Sequence, residues 1–277
     1  MSIENRKQTS SHPDVPGASA LYVGSLEKGF RVLAAFSDDH PALGVTEIAL
    51  RTGLDKSAAQ RFSNTLHQLG FLEKDAATRR YRPGRRLMEL AYTYLRHSVL
   101  GAAAMPRLIE AGSVYATTVN LAERDDTSMI YTVRIPHVKA AYSATVPGRR
   151  VPVFCAASGI AVMSRMSDDE ALDIIARSEL TKRLATTVTD PDKIMKSVHQ
   201  ARRRGFALTY AQQLPREISV AAPIIDVRGR PVGAVQIPVY SPAWKQSEAA
   251  SKLGPLAIET ADGISGALVA SEQEFQS

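Results

Sequence analysis

The sequence predicts an α+β protein of two domains. A small domain of helices and a β-hairpin precedes a larger domain in which helices cover one side of a curved antiparallel sheet. Three observations predict this fold class. The chain has 277 residues, whereas one domain usually takes about 100–200. Three short helical patterns and a hairpin pattern come first, and capped helices mixed with apolar strand patterns follow from about residue 101.

The composition excludes several classes of protein. Apolar residues make up 44 % and charged residues 22 %, which are ordinary globular values. The longer apolar runs, such as 220–225, are far shorter than the roughly 20 residues of a membrane-spanning helix. Residues 1–20 are polar, lack an apolar signal core and predict a disordered tail. The single cysteine, Cys155, excludes an internal disulfide framework and a multi-thiolate zinc site, so we expect a cytoplasmic protein.

Residues 21–84 form the predicted small domain, which begins with two short helices. The first is expected over about 25–36, where an apolar stripe recurs at helical spacing through Leu26, Phe30 and Leu33. The second is expected to have Thr46 as its N-cap and to end before Gly53.

The third helix is predicted over about 56–69. Asp55 is its expected N-cap, and Gly70 is expected to end it. One face of this helix is apolar. The opposite face carries hydrogen-bonding side chains, namely Ser57, Gln60, Arg61 and Asn64.

A basic hairpin is predicted after the third helix. Phe71 and Leu72 predict its first strand, residues 75–78 its turn and residues 80–82 its returning strand. Six basic residues lie between Lys74 and Arg86, against the single acid Asp75. On composition alone, this cluster fits a solvated loop as well as it fits contact with a polyanion.

The order of helix, helix, turn, helix and basic hairpin is typical of a winged helix-turn-helix DNA-binding domain. An α-helix fits the major groove, where Arg can bind guanine and Asn or Gln can bind adenine. A basic hairpin can lie against phosphates or reach a minor groove. A generic three-helix cap with a solvated face is the alternative, which the neighbouring basic hairpin disfavours. The candidate DNA-contacting residues are Thr46, Lys56, Ser57, Gln60, Arg61, Asn64, Arg79, Arg80 and Arg82.

A linker helix is predicted over residues 85–100. Its apolar stripe runs from Leu87 to Leu95. Such a helix can connect the two domains and pair two subunits, or it can be buried within one chain, and the pattern does not choose between these roles.

Residues 101–277 form the predicted larger domain. A helix is expected over 105–115 and a small-residue, buried helix over 155–166, with strands at 118–122, 129–135 and 139–145 and a loop at 147–152. Ser167 and Glu170 form a capping box for a helix over 168–177, and Asp190-Pro191 opens another that ends near Gly205. Strands at 206–210, 218–226 and 232–239 and a closing helix over 245–270 complete it.

The sequence does not support an enzyme. A nucleophilic Cys155 would need an activating base, and none of the six histidines lies in such a motif. Phosphate-loop, zincin, hydrolase and deaminase patterns are absent. The acidic run 168–170 fits a first helical turn better than a metal site. We therefore expect no catalytic residues, no cofactor and no metal.

Several segments are distinctive in their order and spacing, namely Gly24–Gly29, Thr46–Ala49 with Leu54–Ser57, Arg80–Gly84, Arg202–Phe206, and Ala221–Ile224 with Gly229–Val232. Together they resemble those of the IclR family of bacterial transcription regulators, and the resemblance runs from Tyr22 to about Leu268. It implies a C-terminal effector-binding domain of GAF-like α/β shape. It implies repression or activation of metabolic genes, commonly for organic or aromatic acid catabolism, multidrug efflux or quorum signals.

The same resemblance implies particular partners. Members are usually homodimers joined through the N-terminal domain and are often assembled into tetramers. Because a winged-helix dimer binds two half-sites, an inverted-repeat operator in double-stranded DNA is expected. A small organic acid is the expected effector, and no membrane partner is expected.

The resemblance also implies an effector pocket, whose residues can be matched to the family pattern one position at a time. Members often carry a loop similar to L-P-x-H-A-x-x-x-G-K-A, in which Phe154 here replaces the His and Ile160 the Lys. The pocket positions in this chain also lack the acidic side chain that some members have. Their small side chains leave room for an aromatic or cyclic acid as ligand, rather than a two- or three-carbon keto acid. A helix start favours an anion. The matching residues are Ala140, Ser143 and Val151 in the apolar wall, Ala157 and Ser158 at a helix start, and Thr209, Ser219, Gln236 and Pro238 opposite them.

Two alternatives remain at this point. The residues of the implied pocket could only pack the core. The C-terminal domain could serve oligomerisation alone, without a small-molecule effector, in a protein that still binds DNA.

Overall fold

Helices with well-defined caps and a short hairpin make up the first of two compact units, which ends at His97. The computed structural model describes residues 21–137 and 146–276. The tail predicted at 1–20, the strand predicted at 139–145, and Ala140 and Ser143 lie outside these ranges. The elements of the first unit are α1 (Gly24–Ala34), α2 (Val45–Thr52), α3 (Lys56–Gln68), β1 (Leu72–Lys74), β2 (Tyr81–Pro83) and α4 (Leu87–Arg96).

Capping explains where α2 and α3 begin. The Asp55 side chain accepts a hydrogen bond from the Ala58 N–H at 2.8 Å, as predicted. The prediction that Thr46 is the N-cap of α2 is wrong, because Gly44 takes that position. The Glu47 carboxylate accepts from the Gly44 N–H at 2.7 Å, so the acidic half of a capping box begins this helix without a hydroxyl.

The core of the first unit joins the hairpin to the helices. Tyr81 of β2 and Leu72 of β1 are buried beside Val32, Leu43 and Ile48. Backbone hydrogen bonds of 2.8 and 2.9 Å connect Tyr81 and Leu43 in both directions. The wing is therefore part of the folded core and does not stand apart from it.

The second unit begins at Ser98 and contains a six-stranded antiparallel sheet. Its strand order is β5-β4-β3-β8-β7-β6. The elements are α5 (Val99–Val114), β3 (Val119–Asp125), β4 (Ser128–Ile135), β5 (Arg150–Pro152), α6 (Ala157–Met163), α7 (Asp168–Arg177), α8 (Pro191–Arg204), β6 (Ala207–Tyr210), β7 (Glu217–Ile225), β8 (Pro231–Tyr240) and α9 (Gln246–Gln276).

Two expectations for this unit are corrected. The loop predicted at 147–152 contains β5, in which Val151 pairs with Met129 of β4. Helices cover both sides of the sheet rather than one. Leu121 and Val235 pack with α5 and α9 on one face, whereas Ala122 and Ala234 pack with α6 to α8 on the other.

The predicted caps of α7 and α8 are confirmed. Ser167 and Glu170 form the reciprocal capping box at the start of α7. Asp190 accepts from two backbone N–H groups at the start of α8, and Gly205 ends α8 with a φ of 79°. Throughout the described ranges, no helix has both the length and the apolar character needed to cross a membrane.

Gly159 allows α6 to approach the preceding backbone closely, which generates a stability prediction. A Cβ at this position would lie 2.7 Å from the Cα and carbonyl carbon of Val153. We expect Gly159→Ala to lower the free energy of unfolding by about 1–3 kcal/mol, because a backbone segment must move to admit the methyl group. Urea denaturation measures this.

Gly266→Ala in α9 is the matched control. An added Cβ there meets no atom within 4 Å. The better helix propensity of Ala should stabilise this variant by about 0.5–1 kcal/mol. Equal unfolding free energies for both variants would contradict the close-approach explanation.

Candidate nucleic-acid interface and ligand site

The exposed face of α3 carries the predicted DNA-contacting side chains. Lys56, Ser57, Gln60, Arg61 and Asn64 are all exposed, while Ala58, Ala59 and Ser63 are buried on the opposite face. The exposed set offers two cations, two amides and a hydroxyl, the groups that bind base edges and phosphates. Thr46 is exposed at the second position of α2.

The three predicted wing arginines have different surroundings. Arg80 Nη2 donates to the Ala42 carbonyl at 2.8 Å and lies 2.8 Å from the Glu47 carboxylate. Hydrogen bonds from the Gly44 N–H and from Arg80 lower the pKa of Glu47. Arg80 thereby ties β2 to the start of α2.

Arg82 is also paired within the hairpin. Its guanidinium lies 2.7 Å from Glu73, whose pKa is lowered by hydrogen bonds from Arg82 and then Arg85. Arg79 is exposed at the hairpin turn with a φ of 58°, and it forms no ion pair within the described ranges. Arg79 is thus the wing arginine whose charge is most available to a phosphate.

Asp75 holds the turn that presents Arg79. Its carboxylate accepts from the Thr78 N–H at 2.6 Å and from the Thr78 hydroxyl at 2.8 Å. The Thr78 hydrogen bonds also lower the pKa of Asp75. A short polar side chain that bonds its own turn in this way fixes the loop geometry.

The face of the sheet that packs against α6 collects four of the predicted ligand residues. Strand register places Thr209, Ser219 and Pro238 directly beside one another on β6, β7 and β8. Gln236 lies two residues along β8 and donates to the Ser219 hydroxyl. The chain fold therefore brings these four positions onto one surface.

Asn120 of β3 joins this group, although sequence reasoning missed it. It is the register partner of Gln236, and its Nδ2 donates to Gln236 Oε1. Both amides and the Ser219 hydroxyl are buried. An isolated Asn in an apolar strand gives no signal in the sequence, because only strand pairing shows its partner.

The remaining predicted ligand residues lie across from the sheet or at its edge. Ala157 and Ser158 are buried in the first turn of α6, a helix of seven residues, and Val151 is buried in β5 within the same cluster. No partner for Ser158 Oγ meets hydrogen-bond criteria in the described parts of the chain.

A cavity of about 200 Å³ lies beside this surface. It is partly open to solvent, and its lining is mixed, with polar groups from Ser197, Thr209, Tyr210 and Gln212. An apolar cavity of about 150 Å³ can hold a benzene ring, so this space suits a small ring. Its lining residues include Phe154, Ile160, Val188, Ile194 and Leu208.

Glu217 and Tyr131 are titratable groups on the same sheet. Burial raises the pKa of Glu217, and the Tyr240 hydroxyl donates to its carboxylate at 3.3 Å. Burial also raises the pKa of Tyr131, with the Glu217 charge adding to the effect. Uncharged forms of both side chains are therefore favoured.

Cys155 is a buried thiol. Burial raises its pKa to about 12, and Gln213 Nε2 donates to its Sγ. Because the thiolate is the nucleophilic form, this environment disfavours covalent chemistry. Across residues 21–137 and 146–276, no group of three His, Cys, Asp or Glu side chains is placed to hold a metal ion.

Two family profiles match the chain. The one described as "Bacterial transcriptional regulator IclR C-terminal" matches residues 92–266, and the one described as "IclR helix-turn-helix domain" matches residues 25–76. Together they cover both compact units.

Curated proteins and solved structures are similar over most of the chain. The Pca regulon regulatory protein of Pseudomonas putida is 25 % identical over 86 % of this chain and 81 % of its own length. The glycerol operon regulatory protein of Streptomyces coelicolor is 30 % identical over 79 % of this chain and 85 % of its own. An IclR homolog from Microbacterium hydrocarbonoxydans, crystallised with 4-hydroxybenzoate, superposes with a TM-score of 0.71 at 24 % identity, covering 88 % of this chain and 98 % of its own.

The different surroundings of Arg79 and Arg80 generate a paired prediction. Arg79→Ala should weaken binding to DNA of any sequence and lower the slope of log K against log salt by about 0.9, with unchanged stability. Arg80→Ala should lower the free energy of unfolding by roughly 0.5–1 kcal/mol, because a screened ion pair and a hydrogen bond to the Ala42 carbonyl are lost.

Fluorescence anisotropy on scrambled duplex DNA across a salt series, together with urea denaturation, measures both effects. Each variant is the other's control. If Arg79→Ala destabilised the fold while Arg80→Ala changed only the salt slope, the two assignments would have to be exchanged.

The raised pKa of Glu217 predicts a pH-dependent stability difference. The folded state holds the proton more tightly than the unfolded state, so stability falls as pH rises from the unfolded pKa near 4.5 through the raised folded value. Glu217→Gln removes that loss. Its melting temperature should match that of the natural chain at pH 4 and exceed it at pH 8. A constant difference at all pH values would contradict the titration.

Proposed function

The chain belongs to the IclR family of bacterial transcriptional regulators, and we propose that it is a ligand-responsive regulator of genes for organic acid catabolism, with an aromatic or cyclic acid as its effector. The observation that carries the DNA-binding half is the exposed polar face of α3 beside a basic hairpin that is fixed to the core. The family consists of regulators rather than enzymes.

Each part of the first unit has a proposed role in DNA binding. The exposed row of α3 enters the major groove, where Arg61 binds guanine and Gln60 or Asn64 binds adenine. Arg79 at the hairpin turn contacts a backbone phosphate. Arg80 acts as a positioning residue, because its hydrogen bonds to Ala42 and Glu47 fix the hairpin against α2.

A homodimer on an inverted-repeat operator belongs to the proposal. Helices α1 and α4 expose large apolar side chains in the first unit, which a second copy of the chain would cover. In α4 no residue is buried. The side chains of these two helices that are more than half exposed include Leu26, Phe30, Met88, Leu90, Tyr92 and Tyr94. A dimer paired through these helices presents two α3 helices to two half-sites.

The effector half of the proposal has two supports. The cavity that Thr209 lines has the volume for a small ring, and Phe154 and Ile160 supply part of its apolar wall. A relative that regulates the Pca regulon and a homolog crystallised with 4-hydroxybenzoate connect related proteins with aromatic acids. Ala157, Ser158, Ser219, Gln236 and Pro238 are proposed to surround the ligand with Thr209.

The first experiment measures fluorescence anisotropy of the full chain on DNA from immediately upstream of its gene, with scrambled DNA as the competitor. Arg61→Ala should weaken specific binding by about 1–3 kcal/mol, which is one lost bidentate base contact, and leave scrambled DNA nearly unaffected. Arg165→Ala is the control, since it removes an exposed charge from the second unit.

The same assay tests the effector. Benzoate or 4-hydroxybenzoate at saturating concentration should change the specific affinity and not the non-specific one. Unchanged specific affinity in Arg61→Ala would refute the role of that residue. Specific DNA binding that no aromatic or cyclic acid alters would favour a second unit that only assembles oligomers.

A further inference from the structure

The buried side chains of Asn120, Gln236 and Ser219, on the side of the sheet that faces α6, form a chain of hydrogen bonds in which each amide donates to the next residue. Asn120 Nδ2 donates to Gln236 Oε1, and Gln236 Nε2 donates to Ser219 Oγ. This arrangement leaves Asn120 Oδ1 shielded from solvent without a hydrogen-bond partner among the described groups. Asn120 itself is 0 % exposed. A buried acceptor without a donor costs free energy that a ligand hydroxyl would recover.

Arg134 lies beside Asn120 on the same face. It is the register partner of Asn120 on the neighbouring strand β4, and directly opposed residues have Cβ atoms about 4.5–5.5 Å apart. Its Nη1 is shielded from solvent and has no partner in the described parts of the chain. Burial lowers the pKa of its guanidinium. Arginine stays protonated, so the buried nitrogen is a cationic donor that an anion would satisfy.

The next row of the same face connects these two groups with the cavity, because Thr209 in that row is one of the cavity's lining residues. It consists of Thr209, Ser219 and Pro238, which are small or medium-sized side chains. No acidic side chain of the described ranges forms an ion pair with Arg134. An incoming acid would therefore meet a cationic donor on β4 and, on the neighbouring strand β3, an acceptor without a partner among the described groups.

We propose that Arg134 and Asn120 determine effector specificity, and that the effector is a hydroxylated carboxylic acid. Its carboxylate accepts from Arg134 Nη1, and its hydroxyl donates to Asn120 Oδ1. This inference rests on the proposed function and adds the chemistry that the effector must carry. A carboxylate is favoured over a phosphate because, among the residues described, a single shielded guanidinium nitrogen is available here for one negative charge.

Isothermal titration of the full chain with a matched series of compounds tests the proposal. The probes are benzoate, 3-hydroxybenzoate, 4-hydroxybenzoate, the two corresponding methoxybenzoates, methyl 4-hydroxybenzoate and phenyl phosphate. We expect the better hydroxybenzoate to bind about 10-fold more tightly than benzoate and its own methoxy analogue, because a methoxy group cannot donate. The methyl ester should bind at least 10-fold more weakly than 4-hydroxybenzoate, since it lacks the charge.

Two substitutions separate the two contacts. Arg134→Met should weaken the acids by about 10- to 100-fold and abolish the preference for acid over ester, while the preference for hydroxyl over methoxy remains. Asn120→Ala should abolish the preference for hydroxyl over methoxy, while the preference for acid over ester remains. Arg134→Lys keeps the charge and should restore part of the acid preference. Arg124→Met is the matched control, because it removes an exposed arginine from the other end of strand β3. This variant should bind every probe with the affinity of the natural chain.

The probe series on the natural chain decides the matter even if a variant fails to fold. Equal affinities for hydroxy and methoxy acids, an ester that binds as tightly as its acid, or tighter binding of phenyl phosphate would each overturn the proposal. If acids bind without these preferences, this inference fails and the proposed function stands. If no probe binds a chain that still selects its upstream DNA, the effector half of the proposed function fails with it.

Discussion

The burial of both faces of the six-stranded sheet is the constraint on which the second unit depends. Antiparallel sheets often leave one face to water, but here α5 and α9 cover one side and α6 to α8 the other. Every polar side chain on the sheet must then find a partner inside the protein. Toward α6 the face is apolar in the row of Ala122 and Ala234, and it becomes polar in the adjacent row, where Arg134, Asn120 and Gln236 lie side by side. At this polar end, Asn120 Oδ1 and Arg134 Nη1 have no hydrogen-bond partner among the described residues, which supports the proposal that this end binds a ligand.

The first unit solves a different problem. A hairpin of two three-residue strands is at best marginally stable by itself in water. Burial of Tyr81, its two backbone hydrogen bonds with Leu43, and the contacts of Arg80 with Ala42 and Glu47 attach the hairpin to the helices. Some basic residues of the hairpin therefore stabilise the fold, and only the remaining ones are free to contact DNA. Arg80 and Arg82 pair with Glu47 and Glu73, so fewer of the positive charges in residues 74–86 can reach a phosphate than the composition suggests.

Local signals in the sequence predicted most of the fold. Asp55, the Ser167 and Glu170 pair, Asp190 and Gly205 each fix a helix end through bonds within a few residues, so their positions could be inferred from spacing alone. The errors have non-local or unusual causes. Gly44 caps α2 only because Glu47 reaches back to it, and β5 exists only because β4 offers it an edge. The hydrogen bonds of Arg80 to Ala42 and Glu47 could not be predicted, because these partners lie more than 30 positions away in the sequence, and its contact with DNA stays a prediction. Asn120 and Arg134 could not be singled out, because their significance arises from strand pairing.

Occupation of the polar end does not by itself make a regulator. A ligand that satisfies buried groups stabilises the folded chain in proportion to its concentration over its Kd, whatever the DNA does. DNA affinity changes only when the ligand binds the DNA-competent and incompetent states with different affinity. Linkage then requires DNA to change effector affinity by the same factor. The unsatisfied atoms of Asn120 and Arg134 are suited to such a difference, because a small change in strand pairing or side-chain position would determine whether one ligand can satisfy both. If Arg134 and Asn120 bind the effector as proposed, regulation depends on how strictly the two groups are held together, and not only on how tightly the acid binds.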